Sequence, residues 1–72
     1  MQFARVYYSK GSETQVKAGD LFFSEGRPLL VFSWRRNGAR RVPLECVELD
    51  PSRLWPASSN GTIYRYEGDV RS

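Results

Sequence analysis

"PLLVFSWRRNGARRVPLECVEL", residues 28–49, reads as two strands joined by a tight turn. Pro28 to Trp34 is the most apolar run in the chain, and Pro28 suits the first position of a strand, where a missing N–H is tolerated. The return strand is Arg40 to Leu49. Asn37-Gly38 marks the turn, because both central residues of a type I′ turn need positive φ and these two residue types tolerate it best. Centring the loop on that pair makes Arg36 face Ala39, Arg35 face Arg40 and Trp34 face Arg41. One face then carries Val31, Ser33, Val42 and Leu44, with Leu29 and Cys46 further down, and reads as core. The other carries Leu30, Phe32, Trp34, Arg41, Pro43 and Glu45, too charged for a main core and too apolar for a plain solvated surface.

Outward from this hairpin the chain keeps a period of two, and no window shows a helical repeat. Gln2 to Tyr8 is a first strand with Ala4, Val6 and Tyr8 on one face and Phe3, Arg5 and Tyr7 on the other. A polar loop follows from Ser9 to Gly19, then a short strand Leu21 to Ser24 that Glu25-Gly26-Arg27 turns into the hairpin. Asp50 to Leu54 reads as a single 3-10 turn, with Asp50 as N-cap and Pro51 in the first position, where its missing N–H costs nothing. Pro56 to Gly61 is a loop, and Thr62 to Glu67 alternates again, with Tyr64 and Tyr66 facing inward. Residues 68–72 are expected to fray. The sequence therefore predicts one all-β domain over residues 1–72, a five-stranded, strongly curved barrel with a short 3-10 turn before the last strand. Val6, Val31, Val42, Leu44 and Ile63 are expected to share its core.

Seventy-two residues, 40% hydrophobic and 14% aromatic, suffice for one small core. Eleven Lys and Arg against eight Asp and Glu give +3, so a strong positive field must be local. The chain has one cysteine and no histidine, which excludes an intrachain disulfide and Cys/His zinc sets, and no metal or cofactor is expected. With neither a leader pattern nor a run of about 18 apolar residues, no membrane association is expected and the reading is cytoplasmic.

Three fragments carry a resemblance. "ARVYY" at 4–8 is similar to the ALYDY stretch that opens SH3 domains, "KAGD" at 17–20 to their KKGD turn, and "VPLECVEL" at 42–49 to their IPSNYVEL ending. The chain thus resembles an SH3 domain over residues 4–49, which implies a five-stranded SH3-like barrel and, in that family, a groove for proline-rich peptides. Tyr8 and Pro43 fall at groove positions. Val6 and Cys46, however, replace two groove tyrosines, Leu29 and Leu30 stand where the family has its tryptophan, and 22 residues follow Asp50. The proline-rich-peptide groove is not retained.

The candidate binding residues are Phe32, Trp34, Arg35, Arg36, Arg40, Arg41 and Tyr7. Four arginines around a protruding turn give a steep local potential, and guanidinium suits bidentate phosphate contact. The plainer alternative is that charged hairpin tips keep strand edges from pairing with other chains. Arg41 over Trp34 would be a cross-strand cation–π pair, either closing the hairpin or forming part of a stacking platform with Phe32. Arg35 opposite Arg40 repels unless an anion lies between them. Trp55 reads as a plug for one end of the barrel, and Cys46 as a small buried apolar residue with no histidine to activate it. Phe3 and Tyr7 extend the outer aromatic face beside Arg5.

No base, nucleophile or metal set stands at a recognisable spacing, so the chain reads as no enzyme. Two binding functions remain. One is a protein-interaction module, by self-association or with a partner protein, using the outer aromatic and arginine face of the hairpin. The alternative is a small barrel that binds DNA or RNA, with the arginines on phosphates and the rings on bases.

Overall fold

The computed structural model describes residues 3–9, 16–68 and 70, and in it the central hairpin forms with its turn one residue later than the sequence predicts. Strands β3 (Arg27–Asn37) and β4 (Arg40–Glu48) are closed by the pair Asn37↔Arg40, so the loop is Gly38-Ala39. Gly38 has φ +64° and Ala39 has no positive φ, the sign pattern of a type II′ turn with glycine first. This loop needs one left-handed residue rather than two, and glycine supplies it. The type I′ signs occur instead at Glu25 (φ +52°) and Gly26 (φ +78°), which join β2 (Val16–Ser24) to β3.

The shift re-pairs the hairpin as Arg36↔Arg41, Arg35↔Val42 and Trp34↔Pro43. Two compensating bulges then interrupt it. Phe32 has no counterpart on β4, and Leu44 has none on β3, because the register steps between Val31 and Ser33 and again between Ser33 and Trp34.

Before this hairpin lie β1 (Phe3–Ser9) and β2, paired antiparallel; after it come a 3-10 turn (Pro51–Arg53), β5 (Leu54–Pro56) and β6 (Ile63–Tyr66). All six strands form one sheet in the order β4-β3-β2-β1-β6-β5, with β1 and β6 parallel and every other pair antiparallel. The described residues are thus all-β, but the sheet is open and mixed, with β4 and β5 as unjoined edges, and the closed five-stranded barrel does not form. Leu54 and Trp55, expected to plug one end of a barrel, instead form with Pro56 the added strand β5, and Trp55 is exposed.

The chain still forces the sheet to curl. Only residues 49–53 join the two edges, a reach of at most about 21 Å when fully extended, against about 24 Å across five flat strand spacings. Three of those residues are in the 3-10 turn, which advances only about 2 Å each. That turn occupies the seam. Asp50 caps it as expected, accepting from Ser52 N, while the Asp50 N–H donates to the Tyr66 hydroxyl at 3.2 Å and the Glu67 N–H to the Arg53 carbonyl at 3.0 Å.

Inside the curl lie Val6, Tyr8, Leu21, Leu30, Leu49, Tyr66 and Val70, with Ala4, Phe23, Val47, Leu54 and Tyr64 packed against them. Val6 is buried in this core as the alternation predicts, and Tyr64 and Tyr66 turn inward. Val31, expected to share it, is buried but lies outside this cluster, on the face of β3 opposite Leu30. Leu30, assigned to the outer face, is fully buried in the core. Val42 and Leu44, assigned to the core, are exposed, because the hairpin outruns the body of the sheet. Ile63, assigned there too, is exposed for another reason: on β6 it is in register with Arg5, on the face of β1 opposite Val6. Cys46 is exposed too. Val70 lies in the stretch expected to fray, yet it is only 3% exposed; residues 69, 71 and 72 lie outside the described residues.

Candidate interaction surface

β2 stops supporting β3 at the pair Asp20↔Val31, and its residues 16–19 pair with β1 alone. Beyond that point, among the described residues, the backbone of the hairpin pairs only within its own two strands, so residues 32–45 form an arm that projects from the body of the sheet. All the predicted arginines and both predicted rings of the hairpin lie on this arm. Tyr7 stays on the body, two residues along β1 from Arg5 and in register with Ala18 and Arg65.

The bulges decide which way the rings face. In an unbroken strand Phe32 and Trp34 would point the same way. Here the extra residue turns Trp34 to the outer face of the sheet, where its indole N–H donates to Asp20 Oδ2 at 2.9 Å. Arg5 Nη1 donates to the other oxygen of the same carboxylate at 2.9 Å, and Phe22 meets the indole edge-on, with ring centroids 5.7 Å apart. The Arg41 guanidinium lies over Trp34, 4.4 Å from the ring centroid, reaching it diagonally from beside Pro43 rather than from directly opposite. Each contact is individually small, about 0.5–1 kcal/mol for an exposed cation–π pair and about 0–1 for an exposed ion pair. Their joint effect is orientation, because Trp34 fastens the base of the arm to β2 and, through Asp20, to β1. The indole is thereby committed to holding the arm, and an open cavity lined by Ala4, Arg5, Asp20, Trp34, Arg41 and Thr62 runs beside it.

Phe32 keeps to the opposite, core-side face. It lines a groove of about 520 Å³ with Leu44, Glu45, Cys46 and Val47, large enough to take several side chains. Phe32 and Val42 are each 42% exposed and Leu44 is 60% exposed, so the apolar stripe of the core continues past the body with nothing among the described residues over it. Phe32 and Trp34 therefore do not form one platform. The arginines divide as well. Arg36 and Arg41 face each other on the Trp34 side, while Arg35, opposite Val42, and Arg40, opposite Asn37, fall on the side of Phe32 and Leu44.

The nearby carboxylates are engaged elsewhere. Arg27 Nη2 donates to Glu48 Oε1 at 2.6 Å, and this hydrogen bond holds the Glu48 carboxyl below its ordinary range. The Ser52 hydroxyl and N–H hold the Asp50 carboxyl low in the same way. Glu45 Oε1 accepts from Ser33 Oγ at 2.9 Å, and Asp20 serves Arg5 and Trp34. Among the described residues, Arg35, Arg36 and Arg40 have no carboxylate within ion-pair distance.

Sequence reasoning missed Asp20 and Phe22, which anchor Trp34, and the exposed Val42 and Leu44. Asp20 had a visible signal, a carboxylate alternating in phase with Arg5 across the β1–β2 pair, but it sat in a stretch read as a turn. Among the described residues, no helix is long and apolar enough to cross a membrane, and no group of three or more His, Cys, Asp or Glu could hold a metal ion. No family model, curated protein or solved structure matches the chain.

Proposed function

We propose that this protein is a non-enzymatic interaction module that docks a protein partner on its arm. The observation that carries this reading is the exposed apolar stripe of Phe32, Val42 and Leu44 on a projecting hairpin, edged by Arg35 and Arg40. Exposed large apolar groups framed by arginine have the composition of an interface core and its hot spots. The stripe is built on strands rather than on a loop, so a partner meets it already ordered and the cost of fixing it on binding is small.

A nucleic-acid reading draws on a different observation. Arg36 stands directly opposite Arg41, a like-charge pair that an anion between them would relieve. It is the weaker reading, since the Trp34 ring is covered on one side by Arg41 and its N–H is bonded to Asp20, and Phe32 lies on the other face. Stacking platforms need open rings beside the charge.

Titration with mixed-sequence single- and double-stranded oligonucleotides at low salt, followed by Trp fluorescence and arm amide shifts, separates the two. The interaction reading expects weak, unsaturable shifts. Saturable binding whose logarithmic salt slope is about 0.7–0.9 per phosphate, flattened by changing Arg36 and Arg41 to Gln, would overturn it in favour of nucleic acid.

A further inference from the structure

We infer that the partner seated on the core-side face of the arm is a second copy of this chain, packed face to face about a two-fold axis that passes between Val42 and Leu44. The inference rests on the interaction reading above and names the occupant. A two-fold contact uses the same patch on both copies, so the patch must contain its own complement. This one does. Its apolar residues are Phe32, Val42 and Leu44; towards the tip it carries the cations of Arg35 and Arg40; on the body side of Leu44 it carries the carboxylate of Glu45, in the groove that Phe32 also lines.

Rotation about an axis through the middle lays the tip of each arm over the body end of the other. Arg35 and Arg40, which have no carboxylate within ion-pair distance among the described residues, then reach Glu45 of the second copy. Ser33 occupies only Oε1 of Glu45, so Oε2 is open to receive them. A wholly acidic partner would satisfy the arginines but would set like charge against Glu45, whereas a second copy satisfies both ends.

Packing through the face is also what the edge of β4 permits. Pro43 lacks an N–H, and the bulge at Leu44 breaks the row of backbone groups, two devices that discourage strand-to-strand addition at an edge. The side chains of the face carry no such block, and two stacked sheets lie about 10 Å apart, the thickness that interdigitated Leu and Phe side chains fill.

Sedimentation equilibrium from micromolar to millimolar protein tests the inference, with alkylation of Cys46 as a second readout. Cys46 is the only cysteine and lines the groove, so its alkylation rate should fall as protein concentration rises. A dimer is expected. Leu44→Lys alters a side chain that is exposed in the single chain and so should leave folding intact, yet weaken the dimer by at least about 30-fold, the loss typical of a central hot spot. Glu45→Arg should weaken it too, and adding Arg40→Glu to that variant should restore it. A folded monomer at millimolar concentration overturns the self-pairing alone, and so does a dimer indifferent to Leu44→Lys and to the charge swap. The interaction reading beneath it falls only on the oligonucleotide result.

Discussion

The arm continues two of the strands that build the body of this sheet, yet the two regions spend their apolar residues in opposite ways. On the body, Leu30 meets Leu21 across the β2–β3 pair and Val47 across the β3–β4 pair, and it is sealed by the curl of the sheet. Fourteen residues along, past the bulges, Leu44 extends the same face with no third strand beside it and no opposite wall among the described residues. Composition does not separate the two places; the number of neighbouring strands does. Burial in a small β domain comes from a sheet wrapping round its own face, and a hairpin that outruns the wrap keeps its apolar pattern while losing the burial that would use it.

The contrast is broken most directly by truncation. Leu30→Ala removes a fully buried side chain and should cost about 2–5 kcal/mol, a large part of what holds so small a domain. Leu44→Ala should change the stability of the single chain by no more than about 0.5 kcal/mol. Urea denaturation at low protein concentration, where self-association does not contribute, reads both. Comparable losses at the two sites would mean that the arm is covered and that its division from the body is wrong.

A backbone change separates the tip of the arm from its strands. Gly38→Val forces a β-branched residue to φ near +64° and should cost about 1–3 kcal/mol. Ala39→Val, whose site has no positive φ, should cost much less. Gly38 has open space where a Cβ would go, so the penalty would come from the backbone and not from a clash. Equal losses would show that the loop does not hold the type II′ form, and the pairing of Arg36 with Arg41 would fall with it.

Strand existence was legible because alternation and turn residues are local signals, and the Asp50-Pro51 cap was legible for the same reason. What failed was phase. Asn37-Gly38 and Gly38-Ala39 are both acceptable loops, and choosing between them needs the pull of the paired strands. The bulges at Phe32 and Leu44 leave no mark in an alternating pattern, so Phe32 and Trp34 read as neighbours on one face although they point to opposite ones. The arginine tip was legible as a charge cluster. Its division between two faces was not, since it depends on that same phase. Closure of the barrel was misread because three residues, Leu54 to Pro56, are too few for an alternation to announce a strand.

The smallest expected effect concerns the seam, where the body's edge is tied down and the arm's is not. Glu48 is held by a hydrogen bond from Arg27 at the body end of β4, and Asp50 caps the 3-10 turn through Ser52. Both carboxyls are held below their ordinary range. A group whose pKa is lower in the folded state stabilises that state above its unfolded pKa, which for these side chains is about 4. The contribution disappears as pH falls through the folded value, because below it both states bind the proton. Thermal melts should therefore show a flat midpoint above about pH 5 and a decline below it. Each group is exposed and screened, so its share is small and measurable only by difference. The double change Glu48→Gln and Asp50→Asn should make the acid limb shallower while leaving the neutral-pH arm resonances where they were. An acid limb of unchanged steepness would place the acid-sensitive contacts elsewhere, and a shift in the arm's amides at neutral pH would show that the arm is coupled to the seam and does not project independently of it.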